Sequence, residues 1–264
     1  MNIVVLVKQV PDSGAERNLS GDDSTVDRGS ANNVINEMDE YAIEEALRVK
    51  EAHGGEVTIL TMGPQSAAES IRKALSMGPD KAVHVLDDAL HGSCAVATAK
   101  VLAAALGSLN PDLVICGAES TDGRVQVMAH MLAERLGIAA LTGARKLTID
   151  PAGAAGSTLT IERQTEEGYE VVTAATPAIV SVWDTINEPR YPSFKGIMAA
   201  KKKPVQTLSL ADLGVPAAEV GFAGATSVVL EHTKRPPRSG GQQVTDEGDG
   251  GLQLVGFLSS EKFV

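Results

Sequence analysis

Residues 111–137 begin Pro111-Asp112-Leu113-Val114-Ile115-Cys116-Gly117-Ala118-Glu119-Ser120-Thr121-Asp122-Gly123 and continue into an apolar-periodic segment that ends near Gly137. The spacing predicts a buried strand over 112–116, a small polar loop, and a helix over 123–136. A strand that stops at a glycine and hands over to a helix aims free backbone N–H groups and the positive end of a helix dipole at one point. That junction suits a phosphate, with the N–H groups near Ser120 to Gly123 as the expected donors. The other reading is a plain connection in which Ser120, Thr121 and Asp122 serve only as caps. The residues alone leave both open.

The same alternation extends in both directions. Residues 2–8, 56–61 and 81–86 read as buried strands, and roughly 65–77 and 93–107 as helices. In Asn36-Glu37-Met38-Asp39-Glu40-Tyr41-Ala42-Ile43-Glu44-Glu45-Ala46-Leu47, the residues Ala42, Ile43, Ala46 and Leu47 share one helical face. Asn36 is the expected cap and Gly54-Gly55 the stop. Strand and helix in alternation imply an α/β fold of the doubly wound type, a mostly parallel sheet sandwiched by helices. Ligands on such sheets sit beyond the carboxyl ends of the strands. There the end of the first strand, the loop at 33–39 and the loop at 117–123 should meet. The acidic turn at 37–39 repels phosphate and better suits an adenine amino group or a ribose hydroxyl; ordinary capping is the alternative.

Residues 11–33 are a long polar excursion. After residue 140 the segments 145–150, 157–163, 169–174 and 178–183 predict short strands added antiparallel to the sheet edge. The loop 187–196 then places Tyr191 and Phe194 either as anchors for a partner or folded back on the sheet, and a short helix is expected over 197–202. Residues 234–250, rich in proline, glycine and charge, read as an extended arm, followed by a short amphipathic helix over 251–261. The expected division is an α/β domain over 1–232 and an arm over 233–264.

Composition narrows the function. The net charge of −11 argues against nucleic acid as the main partner. Cys94 and Cys116 lack metal-ligand spacing and predict reduced thiols in the cytoplasm. No histidine stands at a metal spacing, and no strained elbow surrounds His91, Ser93 and Cys94, so neither a metal nor a catalytic set is expected. The opening Met-Asn-Ile-Val-Val-Leu-Val-Lys has no basic region before a long apolar core, and no run reaches transmembrane length. A nicotinamide-linked oxidoreductase would carry a glycine-rich turn after the first strand. Val7-Lys8-Gln9-Val10-Pro11 stands there instead.

Four segments carry a resemblance: IVVLVKQVPD; NEMDEYAIEEALRVKE with IRKALSMGPDKAVHV; CGAESTDG; and IERQTEEGYEVVTAATPAIVSVWDTINEPRYPSFKGIMAAKKKP. In this order, over nearly the whole chain, they resemble the beta subunit of electron transfer flavoproteins, in the bacterial FixA-like branch. The resemblance implies an adenine-nucleotide-binding α/β sandwich without bond chemistry of its own. It implies a heterodimer with an alpha subunit that holds most of one FAD. Electrons would pass from acyl-CoA or other flavin dehydrogenases to the respiratory chain, through an acceptor of the electron transfer flavoprotein–quinone oxidoreductase type. The beta subunit buries a structural AMP, and bifurcating relatives hold a second FAD there. By position, the AMP contacts fall on Leu6, on Asn36, Glu37, Met38 and Asp39, on Met62, and on Ala118, Glu119, Ser120, Thr121, Asp122, Gly123, Arg124, Val125, Gln126, Val127, Met128 and Ala129. The partner-recognition loop is Arg190, Tyr191, Pro192, Ser193, Phe194, Lys195, Gly196, Ile197, Met198 and Ala199, with Phe194 where the family usually has a leucine anchor. Two departures stand out. Met128 and Ala129 replace a threonine and a close-packing glycine, which narrows the phosphate pocket and leaves Arg124 to offer a compensating charge. Asp39 stands where relatives also carry small or sulfur-bearing residues. The rival class is a free-standing adenine-nucleotide module of the universal-stress type, which needs no arm.

Overall fold

The run Ile3-Val4-Val5-Leu6 offers water no polar side chain, so it is stable only where both its faces are covered. In the computed structural model, which describes residues 1–151, 156–237, 240–241 and 243–264, that run is buried in β1 (Asn2–Leu6) at the middle of a sheet. A small antiparallel ribbon follows, β2 (Gln9–Pro11) with β3 (Asn33–Ile35), closing the base of the polar excursion. Next come α1 (Glu37–His53), β4 (Glu56–Met62), α2 (Ala68–Met77), β5 (Lys81–Val85), α3 (Ala95–Leu109), β6 (Leu113–Gly117) and α4 (Met128–Leu136). The chain continues through β7 (Ala139–Asp150), β8 (Thr158–Thr165), β9 (Gly168–Ala175), β10 (Ala178–Val182), α5 (Phe194–Ala200), β11 (Val205–Leu208) and α6 (Gly221–Gly224).

The main sheet has nine strands in the order β11-β5-β4-β1-β6-β10-β7-β8-β9. From β11 to β7 every neighbouring pair is parallel, and β8 and β9 add an antiparallel extension. From β1 the chain steps outward to β4 and β5, then returns to the other side at β6. The strand order therefore reverses between β1 and β6, the place where a doubly wound sheet opens a crevice at its carboxyl ends.

Alternate residues of the central strands feed two cores. Ile3, Val5, Ile59, Ile115 and Val180 face Ile43 and Leu47 of α1 and Ile71 and Leu75 of α2. Val4, Leu60, Val114 and Ile179 face Leu102 and Leu106 of α3 and Leu132 of α4. Each such side chain contributes roughly 1.5–3 kcal/mol on burial, so aliphatic strands suffice where aromatics are scarce.

Four local expectations are corrected. Residues 178–182 are no antiparallel edge strand; β10 lies between β6 and β7, parallel to both, with all five residues buried. A run with four apolar residues in five marks a central parallel strand, and following a hairpin in the chain misplaced it. β7 begins at Ala139, ahead of the expected 145. The helix expected from 123 begins at Met128. The helix expected from 197 begins at Phe194, because the Ser193 hydroxyl caps it by accepting from the Gly196 N–H at 3.0 Å.

The chain divides into two units, Met1–Leu230 and Glu231–Val264. Within the second, α7 (Gly250–Ser260) has no buried residue. Of the expected arm 234–250, residues 238, 239 and 242 lie outside the described ones.

Candidate functional site

Gly117 ends β6 directly against the first turn of α1. A Cβ on it would lie 2.5 Å from the Met38 Cβ and 2.7 Å from Asp39 Oδ1, so only glycine permits the approach. Asn36, at the cap position of α1, makes no cap bond of its own. Its side chain is spent across the crevice: Nδ2 donates to Glu119 O at 2.8 Å and to Asp39 Oδ1 at 3.0 Å, and Oδ1 accepts from the Thr121 N–H at 3.0 Å. Asp39 is buried and accepts the Lys8 N–H at 2.8 Å through Oδ2, with the Gly117 N–H also aimed at it. Burial dominates those donors and pushes its carboxyl up to about 7. The three segments expected to meet at the strand ends do meet, joined by these two side chains.

The electrostatics of the loop come from elsewhere. Lys8 Nζ lies 2.7 Å from Asp122 Oδ1 and 3.2 Å from Ser120 Oγ, and an Arg28 Nη lies 2.6 Å from Asp122 Oδ2. Arg17 donates to Thr121 O at 2.5 Å. The Asp122 side chain is 1% exposed. Burial alone would raise its carboxyl, but the charge and hydrogen bond of Lys8, the Ser120 hydroxyl and the charge of Arg28 hold it at about 2. The Thr121 Oγ1 is buried without a hydrogen-bond partner. Lys8, Arg17 and Arg28 were missed in the sequence; two arginines in an otherwise acidic and small-residue excursion were the available signal.

Among the other sequence-predicted residues, Leu6 and Ala129 belong to the core on the α3–α4 side, and Met62 and Met128 pack against it. Met128 and Ala129 thus spend their side chains on the core. Ala118 and Glu119 are half-buried, Glu37 is exposed and accepts from Ser13 Oγ, and Gly123 to Val127 are exposed. Arg124 and Gln126 adopt left-handed backbone, with φ of 48° and 57°, which breaks the chain before α4. The helix dipole and the unpaired first-turn N–H groups therefore fall at Met128 to His130. In the loop itself, the Thr121 and Arg124 N–H groups are already bound to Asn36 Oδ1 and Ser120 O.

A second constellation surrounds α5. Tyr191 is 94% and Phe194 81% exposed, and Ile197 and Met198 are exposed beside them. Neither ring folds back on the sheet. Lys195 and Ala199 are exposed and Pro192 half-buried. At Gly196 a Cβ would stand 2.5 Å from Ser76 O, so α5 rests its backbone on α2. A cleft of about 510 Å³ between them is lined by Arg72, Lys73, Ser76, Pro192, Ile197 and Lys201.

Among the described residues no cluster of histidine, cysteine or carboxylate is arranged for a metal, and no helix is long and apolar enough to cross a membrane. Residues 23–213 match the model of the electron transfer flavoprotein domain. The chain is 50% identical to the electron transfer flavoprotein subunit beta of Mycobacterium bovis, over all of this chain and 99% of that one. It is 40% identical to the subunit of the same name in Thermoanaerobacterium thermosaccharolyticum, over 91% of both chains. To the FixA protein of Azorhizobium caulinodans it is 36% identical, over 87% of this chain and 83% of the other. The chain belongs to the electron transfer flavoprotein family, in its beta-subunit branch.

Proposed function

We propose that this chain is the beta half of a cytoplasmic heterodimer that carries electrons from flavin dehydrogenases to a quinone-linked acceptor of the respiratory chain. Its alpha partner holds most of the FAD, which when bound accepts and passes on electrons. The beta chain closes one side of that chamber, docks the donors, and lodges an AMP in its own sheet as a structural plug. Its residues perform no bond chemistry.

The observation that carries this reading is a surface for which a free-standing module has no use. Phe194 and Tyr191 stand in water beside Ile197 and Met198, and Leu252, Leu254, Val255 and Phe257 are exposed along α7. Large exposed apolar groups in continuous patches mark interaction sites. We assign the patch on α5 to dehydrogenases and the Glu231–Val264 unit to the alpha subunit.

Two observations support a mononucleotide in the crevice between β1 and β6. Three cations converge on the loop 120–122, and the orphaned Thr121 Oγ1 awaits a partner. Leu6 and Met62 would flank the base, and Ser120, Thr121 and the first turn of α4 would face the phosphate.

Purifying the chain with its alpha partner, denaturing the complex and identifying the released nucleotides tests this. One FAD with one AMP is expected. Two FAD would replace the shuttle with a bifurcating carrier, and an isolated monomer free of adenylate and ordered to its last residue would sink the proposal. Phe194→Ala should slow electron delivery from a dehydrogenase while flavin content stays constant; equal rates would remove α5 from docking.

A further inference from the structure

Further along the helix from the residues that meet the strand-end loop, α1 turns a second set of polar groups toward the segment that leads into α5. Arg190 donates from Nε to Glu44 Oε2 at 2.7 Å and from Nη2 to Glu44 Oε1 at 3.1 Å. Its backbone N–H donates to Glu44 Oε2 at 3.2 Å. From the other fork, Nη1 reaches Glu51 Oε1 at 2.6 Å and Nη2 reaches Oε2 at 3.2 Å. Three residues upstream, Asn187 Nδ2 donates to Tyr41 O and Glu45 Oε2, both at 3.1 Å. The Glu44 side chain is 5% exposed. Its burial works against ionisation, but Arg190 and Arg48 outweigh that and hold its carboxyl below the usual range.

Residues 187–193 belong to no helix or strand. Without an anchor they would sample many conformations, and each would present Phe194 at a different angle. Bidentate carboxylate–guanidinium pairs fix orientation as well as distance. The segment is thus mounted at three points: Asn187 and Arg190 on α1, and the Gly196 backbone against α2. Pre-organisation of this kind lowers the ordering cost of association.

We propose that Glu44 and Glu51 are positioning residues for partner docking. By holding Arg190 they set the angle at which Phe194, Ile197 and Met198 meet a dehydrogenase. The inference rests on the reading of residues 190–199 as the docking segment, and the experiment separates the two. Heterodimers carrying wild-type chain, Phe194→Ala, Glu44→Gln or both are reduced by an acyl-CoA dehydrogenase supplied with its acyl-CoA, with the heterodimer as the varied substrate. Glu44→Gln should raise the KM for the heterodimer about three- to tenfold. It should leave kcat and flavin content unchanged, while the melting temperature falls by a few degrees because Arg190 and Arg48 lose a charged partner. In the Phe194→Ala background it should add less than about twofold, because both changes act through one contact. A Phe194→Ala variant that slows the reaction beside a Glu44→Gln variant with normal KM overturns the positioning role and leaves the docking reading standing. A silent Phe194→Ala overturns the docking reading, and the positioning role with it. Full additivity also overturns the positioning role, since Glu44 would then act elsewhere. Should Glu44→Gln lose flavin, Glu51→Gln on the exposed side of the clamp takes its place, with an expected KM rise of about two- to threefold; no rise overturns the inference.

Discussion

Asp39 sets burial against hydrogen bonding within one carboxyl group. It is buried, which disfavours the charge, while the Asn36 side chain and the Lys8 and Gly117 N–H groups all donate to it, which favours the charge. Burial wins and the folded-state value is about 7, against about 3.9 in an unfolded chain. Between these values the native state binds a proton that the unfolded state has lost, so this contribution to stability is full at low pH and is lost as pH rises toward 7. Each pH unit is worth about 1.4 kcal/mol at most, and the whole window on the order of 2–4 kcal/mol. Asp39→Asn keeps the shape and cannot titrate. Its amide must face one of the three donors, a cost of about 1–3 kcal/mol that does not change with pH. The assay is the melting temperature of the heterodimer, wild type against Asp39→Asn, at pH 5, 6, 7 and 8. The variant should improve relative to wild type by about 2–5 °C across that range. Cys116, pushed up to about 12 by burial and by Asp39 itself, titrates outside the window. A constant difference, or a wild type that improves as pH rises, would refute the argument and mean that the three donors outweigh burial.

Asp122→Asn should destabilise the chain by about 1–3 kcal/mol at neutral pH, less than a fully buried pair because Lys8 and Arg28 are partly solvated. Since Asp122 is held at about 2, its contribution is present above the ordinary carboxylate value and is lost as pH falls toward 2; acid unfolding curves of wild type and variant should converge there. Gly196→Ala should cost about 1–3 kcal/mol by forcing α5 off the Ser76 carbonyl, read as a lowered melting temperature; an unchanged value would mean that contact is soft. Iodoacetamide at pH 7 should modify one thiol quickly. Burial opposes ionisation of Cys94, but the Thr226 hydroxyl and the N–H groups of Ala97, Thr226 and Val96 outweigh it and bring the thiol to about 6. Cys94→Ala should abolish the fast phase, and two fast thiols would contradict the burial of Cys116.

The parallel sheet was legible because its strands are short apolar runs bounded by helices of clear period, and β1, β4, β5 and β6 lie where the pattern puts them. β10 carries the same signal in Ala178 to Val182, but its place between two earlier strands depends on tertiary pairing that local sequence does not encode. The start of α4 was misjudged because its period was extended back into the loop, although Gly123, Val125 and Val127 are weak helix formers and Arg124 and Gln126 adopt left-handed backbone. The segments that hold Leu6, Asn36 and Asp39 were visible by their place beyond the strand ends, and the family resemblance supplied the individual residues. Lys8, Arg17 and Arg28 were not, since a polar excursion reads alike whether it stays in solvent or folds over a loop. Glu44, Glu45 and Glu51 pass as the solvated face of a helix until Arg190 and Asn187 arrive from about 140 residues further along.

The insertion of β10 between β6 and β7 has a consequence for biogenesis. Both of its neighbours leave the ribosome first, so a nascent chain shorter than about 180 residues holds two unpaired strand edges side by side. The crevice wall formed by β6 then lacks its outer support until Ala178 to Val182 have been translated. Such a gap is the kind of transient vacancy that chaperones guard, and it makes the last third of the gene the part that commits the whole sheet to its final form.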